Sequence, residues 1–129
     1  MAALLACFLA LDACWLTFVG PHLYRPALDA ILAPRVDGLA AVLFYLVYFL
    51  GLAVFVVAPE LAQRRPDRAL ARGALFGLVA YGTYDLTNQA TLSAWSWSIT
   101  AADLSWGAIV SGASSWAAVR TSVGPRGLR

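Results

Sequence analysis

Lysine is absent from this chain, histidine and methionine occur once each and cysteine twice, and only 12% of the 129 residues are charged. A soluble domain carries about 25% charge. That shortage, together with 61% hydrophobic residues and a mean hydropathy of +0.73, excludes a water-soluble globule, and disorder with it. With His22 as the one histidine and no cysteine or carboxylate at ligand spacing around it, neither a zinc nor a di-iron centre is expected. No phosphate loop or nucleophile elbow occurs, so no metal and no cofactor is expected. Cys7 and Cys14 read as small membrane-buried residues rather than a disulfide. The net charge of +2 is too small and too scattered for nucleic acid to be a partner.

What the sequence does contain is four long apolar blocks, over about 2–19, 39–58, 73–92 and 99–119. The second has no charge and is closed by Pro59-Glu60; at about 1.5 Å per residue it covers about 30 Å of hydrocarbon. The first lacks a basic leader and is read as a retained span rather than a cleaved signal peptide. The expectation is an all-α, four-helix transmembrane bundle forming one integral membrane domain over 1–129. Trp95 and Trp97, between the last two blocks, read as an interfacial belt. The segment 21–38 reads as a short amphipathic outer segment, with a dip back over the bundle as the alternative.

Arginine sets the orientation. Seven residues (Arg64, Arg65, Arg68, Arg72, Arg120, Arg126 and Arg129) fall on the side of the termini and second loop, against Arg25 and Arg35 on the other. The positive-inside bias then puts both termini in the cytoplasm, as in a multi-pass protein of a bacterial inner membrane, with membrane lipids as partners. The arginine-rich hairpin Arg64–Arg72 reads as a solvated anchor or an anionic-lipid contact.

Three aspartates, Asp12, Asp85 and Asp103, interrupt the apolar blocks. Each costs roughly 2.5–3.5 kcal/mol at a helix centre, so such residues face the bundle interior and often mark function. The topology places all three in the outer half, beneath His22 and Arg25. Helical spacing pairs Asp12 with Trp15, Asp103 with Trp106, and Asp85 with Tyr81 and Asn88. A ligand site of Asp12, Trp15, Arg25, Tyr81, Tyr84, Asp85, Asn88, Asp103 and Trp106 is expected, with Arg25 offsetting part of the negative charge. The same polar groups could also serve only as interhelical glue. The stretch 81–92 is the least lipid-like part of any span and needs covering by other helices. Gly73-x-x-x-Gly77 and Gly107-x-x-x-Ser111 read as close-packing motifs.

The stretch Tyr81-Gly82-Thr83-Tyr84-Asp85-Leu86-Thr87-Asn88-Gln89-Ala90-Thr91-Leu92, then Trp95, then Asp103-Leu104-Ser105-Trp106-Gly107, resembles the signature of a bacterial family of predicted membrane proteins, domain of unknown function number twenty-one seventy-seven. The resemblance extends to Leu11-Asp12-Ala13-Cys14-Trp15-Leu16, to Tyr24-Arg25, and from Phe44-Tyr45-Leu46 through Pro59, nearly the whole chain. Ser96 departs from it, standing where that family tends to have proline. The resemblance implies a short multi-spanning protein in which Asp12, Arg25, Asp85, Asn88, Asp103 and Trp106 belong to a shared pattern. It implies no catalytic residue.

Three functions are consistent with these residues. The leading one is a buried carboxylate-lined site that binds a proton, a cation or a small polar or lipid headgroup, with transport as its extension and a homo-oligomer as its requirement. The second is a lipid-modifying enzyme or its accessory subunit, with Asp85 or Asp103 as acid or base. The third is a structural or assembly protein.

Overall fold

The computed structural model of the chain describes residues 1–29 and 31–123, so Arg126 and Arg129 of the arginine count lie outside the described residues. Every regular element among the described residues is helical: α1 (Ala2–Phe18), α2 (Gly20–Leu23), α3 (Arg25–Leu28), α4 (Gly38–Gly51), a π-helical segment (Leu52–Val57), α5 (Ala58–Ala62), α6 (Pro66–Thr91) and α7 (Trp97–Val123). Segment Gly38–Ala62 is one continuous rod, and among the described residues it is the one helix both long and apolar enough to cross a membrane by those criteria alone. Helix α1 is apolar but has 17 residues, and α6 and α7 are longer but diluted by polar side chains.

Local chemistry explains the helix limits. Asp37 starts α4 as an N-cap, its carboxylate accepting from the amides of Leu39 (2.9 Å) and Ala40 (3.1 Å). Pro59 does not end the rod as the sequence reading expected. A proline inside a helix lacks an amide donor and crowds the carbonyl four residues back, and the wider π turn immediately before it relieves that clash. The helix ends at Ala62, where the amides of Arg64 and Arg65 return to the carbonyls of Leu61 and Glu60 and Arg64 takes a positive φ of 55°. Pro66 then opens α6 at once. The expected arginine hairpin is therefore corrected to a three-residue turn, with Asp67, Arg68 and Arg72 on the first turns of α6.

Helices α6 and α7 form the tightest pair. Glycine makes this possible: a Cβ on Gly77 would overlap the Gly107 carbonyl, and one on Gly73 would lie 2.6 Å from the Ser111 carbonyl oxygen. The two small-residue motifs of the sequence thus meet each other within one chain. Helix α1 packs on α7, and its Phe8 ring meets the rings of Tyr45, Tyr48 and Phe49 at 5.2–6.5 Å, joining α4 to a core that includes Leu4, Leu52, Val56 and Val110.

The connection after α1 differs from the expected single amphipathic helix. Pro21 and Pro26 each start a separate one-turn helix, and Leu23, Tyr24 and Leu28 fold onto Trp95 and Ile99 at the α6–α7 turn. Trp95 is accordingly not a belt residue. It is buried with its indole N–H on Thr100 Oγ1 (3.1 Å), whereas Trp97 is exposed.

Candidate functional site

Crossing at Gly77 and Gly107 brings the next two turns of α6 and α7 side by side, and those turns carry Asp85 and Asp103. Asp12 of α1 joins them through the α1–α7 contact. All three acids are buried: Asp85 at 0% exposure, Asp103 at 6% and Asp12 at 7%.

Their partners differ. Asp12 accepts the Tyr45 hydroxyl at 2.6 Å and, at a long 3.4 Å, the Trp106 indole N–H. Asp103 accepts the hydroxyl of Tyr24, which itself receives the Trp15 indole N–H at 2.9 Å. Trp15 and Trp106 stack between the two acids, with centroids 4.6 Å apart and planes 9° from parallel. Among the described residues neither oxygen of Asp85 has a hydrogen-bond donor, and the Asp103 carboxyl lies close enough to interact with it. A neutral donor satisfies a carboxylate, whereas two neighbouring carboxyls do not both stay ionised on their own: they share one proton or hold a cation between them.

Tyr24 stands outside the long helices, at the junction of α2 and α3. Burial, reinforced by the bond to Asp103, pushes its phenol above the ordinary tyrosine range, so it stays a donor.

Beside the acids, Phe44, Tyr48, Ala80, Tyr81, Tyr84 and Asp103 line a cavity of about 440 Å³ between α4 and α6. Tyr48 shares a 2.7 Å hydrogen bond with Ser111, and its ring meets that of Tyr81 edge-on at 6.1 Å. Tyr84 is held edge-on against Trp95 at 5.6 Å.

Of the residues expected from sequence, Asp12, Trp15, Asp85, Asp103 and Trp106 come together, and Tyr81 and Tyr84 line the adjoining cavity. Arg25 does not join them. It is exposed and makes no ion pair among the described residues, so it does not offset the acids. His22 is exposed, its ring nitrogen 3.1 Å from the Phe18 carbonyl oxygen, and the half-buried Asn88 has no side-chain hydrogen bond among the described residues. The stretch 81–92 does not need covering on all sides, because Thr83, Thr87 and Thr91 sit exposed and each bonds the carbonyl one turn back (2.6–2.8 Å).

Tyr24, Tyr45 and Tyr48 escaped the site as read from sequence. A phenol in an apolar run needs a partner for its hydroxyl, and Tyr45 and Tyr48 sit at that i, i+3 spacing in the one uncharged block. That was the available signal. Among the described residues, no three histidine, cysteine or acidic side chains are grouped to hold a metal ion.

No curated protein and no solved structure matches the chain. The family described as Predicted membrane protein (DUF2177) matches residues 1–120, and the chain therefore belongs to this family of membrane proteins.

Proposed function

We propose that the chain crosses the bacterial inner membrane four times, with both termini in the cytoplasm, and that Asp85 and Asp103 together bind a positive charge in the outer half of the bilayer. The observation that carries this is Asp85: fully buried, without a donor on either oxygen among the described residues, and close to the Asp103 carboxyl. The cost of placing such a group in hydrocarbon argues for a binding role. The arginine distribution supports the orientation, in which Tyr24 and the α2–α3 cover lie on the periplasmic side. Movement of the bound charge across the membrane would require a second copy, since four helices rarely enclose a pathway.

Infrared difference spectra recorded during a pH titration of the protein in lipid test this reading. The Asp85 and Asp103 carboxyl bands are expected to change together, so that either Asp85→Asn or Asp103→Asn alters the signal of both. Two independent carboxyl signals would refute a shared site.

Structural glue is the second reading, favoured by the tyrosine hydroxyls from other elements that satisfy Asp12 and Asp103. It leaves Asp85 without a role.

A further inference from the structure

The cavity beside Asp103 has walls of an unusual kind for a bilayer. Four of its six lining residues are aromatic, Phe44, Tyr48, Tyr81 and Tyr84, and its one charged wall is the Asp103 carboxyl. Ring faces and a carboxylate attract the same thing, a cation, and aromatic rings favour one whose charge is spread over alkyl substituents. Among the described residues no arginine or histidine lines the cavity.

The entrance faces sideways. Phe44 is 46% exposed and Tyr84 60% exposed, on the surfaces of α4 and α6 that a surrounding bilayer would wet with acyl chains. Helix α4 permits this because its backbone makes no extended close approach to α6, whereas α6 and α7 are sealed together behind the cavity. A second cavity of about 520 Å³ continues along α4 from the first, sharing Phe44, Tyr48 and Ala80 and otherwise lined by Ala40, Leu43, Val47 and Phe76. It carries no charged side chain. An aromatic compartment with one acid in its wall thus opens into an apolar trough of similar size.

We infer that these joined cavities bind a cationic amphiphile, with its ammonium group among Tyr81, Tyr84 and Asp103 and its alkyl chain along α4, entering laterally from the bilayer. The inference rests on the acidic site proposed above and names the class of its occupant. A zwitterionic headgroup fits less well, since its phosphate would sit beside Asp103, with Asp85 close behind. Inorganic cations gain nothing from the apolar trough.

The test uses the full chain in nanodiscs of uncharged lipid, with tritiated dodecyltrimethylammonium as probe and protein-free nanodiscs as the partition control. Saturable binding beyond partition is expected. It should weaken at least about tenfold in Asp103→Asn and several-fold in Phe44→Ala and Tyr84→Ala. Unlabelled dodecyltrimethylammonium should compete, whereas dodecylphosphocholine and sodium chloride should compete poorly. Phe44 and Tyr84 stand at the surface rather than in the core, so these two variants carry the test even if Asp103→Asn fails to assemble. Binding no greater than partition, or binding indifferent to Phe44→Ala and Tyr84→Ala, overturns the inference. If the paired infrared signal of Asp85 and Asp103 persists in that case, the acidic site stands and only its occupant is wrong; if that signal is also absent, both fall.

Discussion

Trp15 and Trp106 stack at 4.6 Å, and each serves the other's acid: Trp106, one turn from Asp103, donates to Asp12, while Trp15, one turn from Asp12, reaches Asp103 through the Tyr24 hydroxyl. The two Asp-x-x-Trp motifs are therefore cross-connected rather than self-contained. Aromatic pairs of this kind contribute about 0.5–1.5 kcal/mol beyond burial. A double-mutant cycle with Trp15→Leu and Trp106→Leu, followed by thermal unfolding in detergent, is expected to give a coupling energy in that range. Additive effects would mean that the stack contributes nothing.

The same tyrosine yields a pH dependence. Burial raises the Tyr24 phenol above its unfolded value of 10.0. A group whose folded pKa is raised contributes stability that is fully present below the unfolded pKa and lost as pH rises beyond it. Wild type should therefore weaken above about pH 10, by up to about 1.4 kcal/mol per pH unit for this one group. Tyr24→Phe should start about 1 kcal/mol less stable, having lost its hydrogen bond, and decline less steeply over that window. Denaturation curves at pH 9 and pH 11 measure the difference; parallel declines would contradict it.

Gly77 has no room for a methyl group against the Gly107 carbonyl, whereas a Cβ on Gly38 meets nothing within 4 Å. Gly77→Ala is expected to cost at least about 2 kcal/mol through overpacking and to separate α6 from α7, while Gly38→Ala should be neutral or slightly stabilising. Melting temperatures of the two variants check this directly.

Near the other end of the bundle, Glu60 is buried and its Oε1 lies 2.9 Å from Arg72 Nη1. Removing one partner leaves a buried carboxylate alone, which costs more than removing both. The guanidinium is half exposed, so water softens the effect: Arg72→Ala should lose about 2–3 kcal/mol, and under about 1 kcal/mol in a Glu60→Gln background. Equal losses in both backgrounds would show that the pair is idle.

The long helices were legible in the sequence because long apolar blocks in a bilayer must satisfy their backbone hydrogen bonds internally, which a helix does within one segment. The burial of Asp12, Asp85 and Asp103 within the helices was expected from the cost of leaving an acid in lipid. The role of Arg25 did not follow, since a charge count says which side a cation occupies and not whether it turns inward. The partners found instead are neutral phenols, whose hydroxyls are invisible to charge bookkeeping. The fold of residues 20–28 was likewise hidden: Pro21 and Pro26 mark two starts, but only Trp95 and Ile99 decide what those turns cover.

The proposed binding role requires Asp85 to be kept at some expense of stability. Thermal unfolding of Asp85→Asn against wild type at neutral pH tests this most directly. An amide at that position supplies the donor that Asp103 lacks on this side, so the variant should melt at the same temperature or higher while losing the paired carboxyl signal. A melting temperature several degrees lower would show that Asp85 holds the helices together and would contradict the proposal.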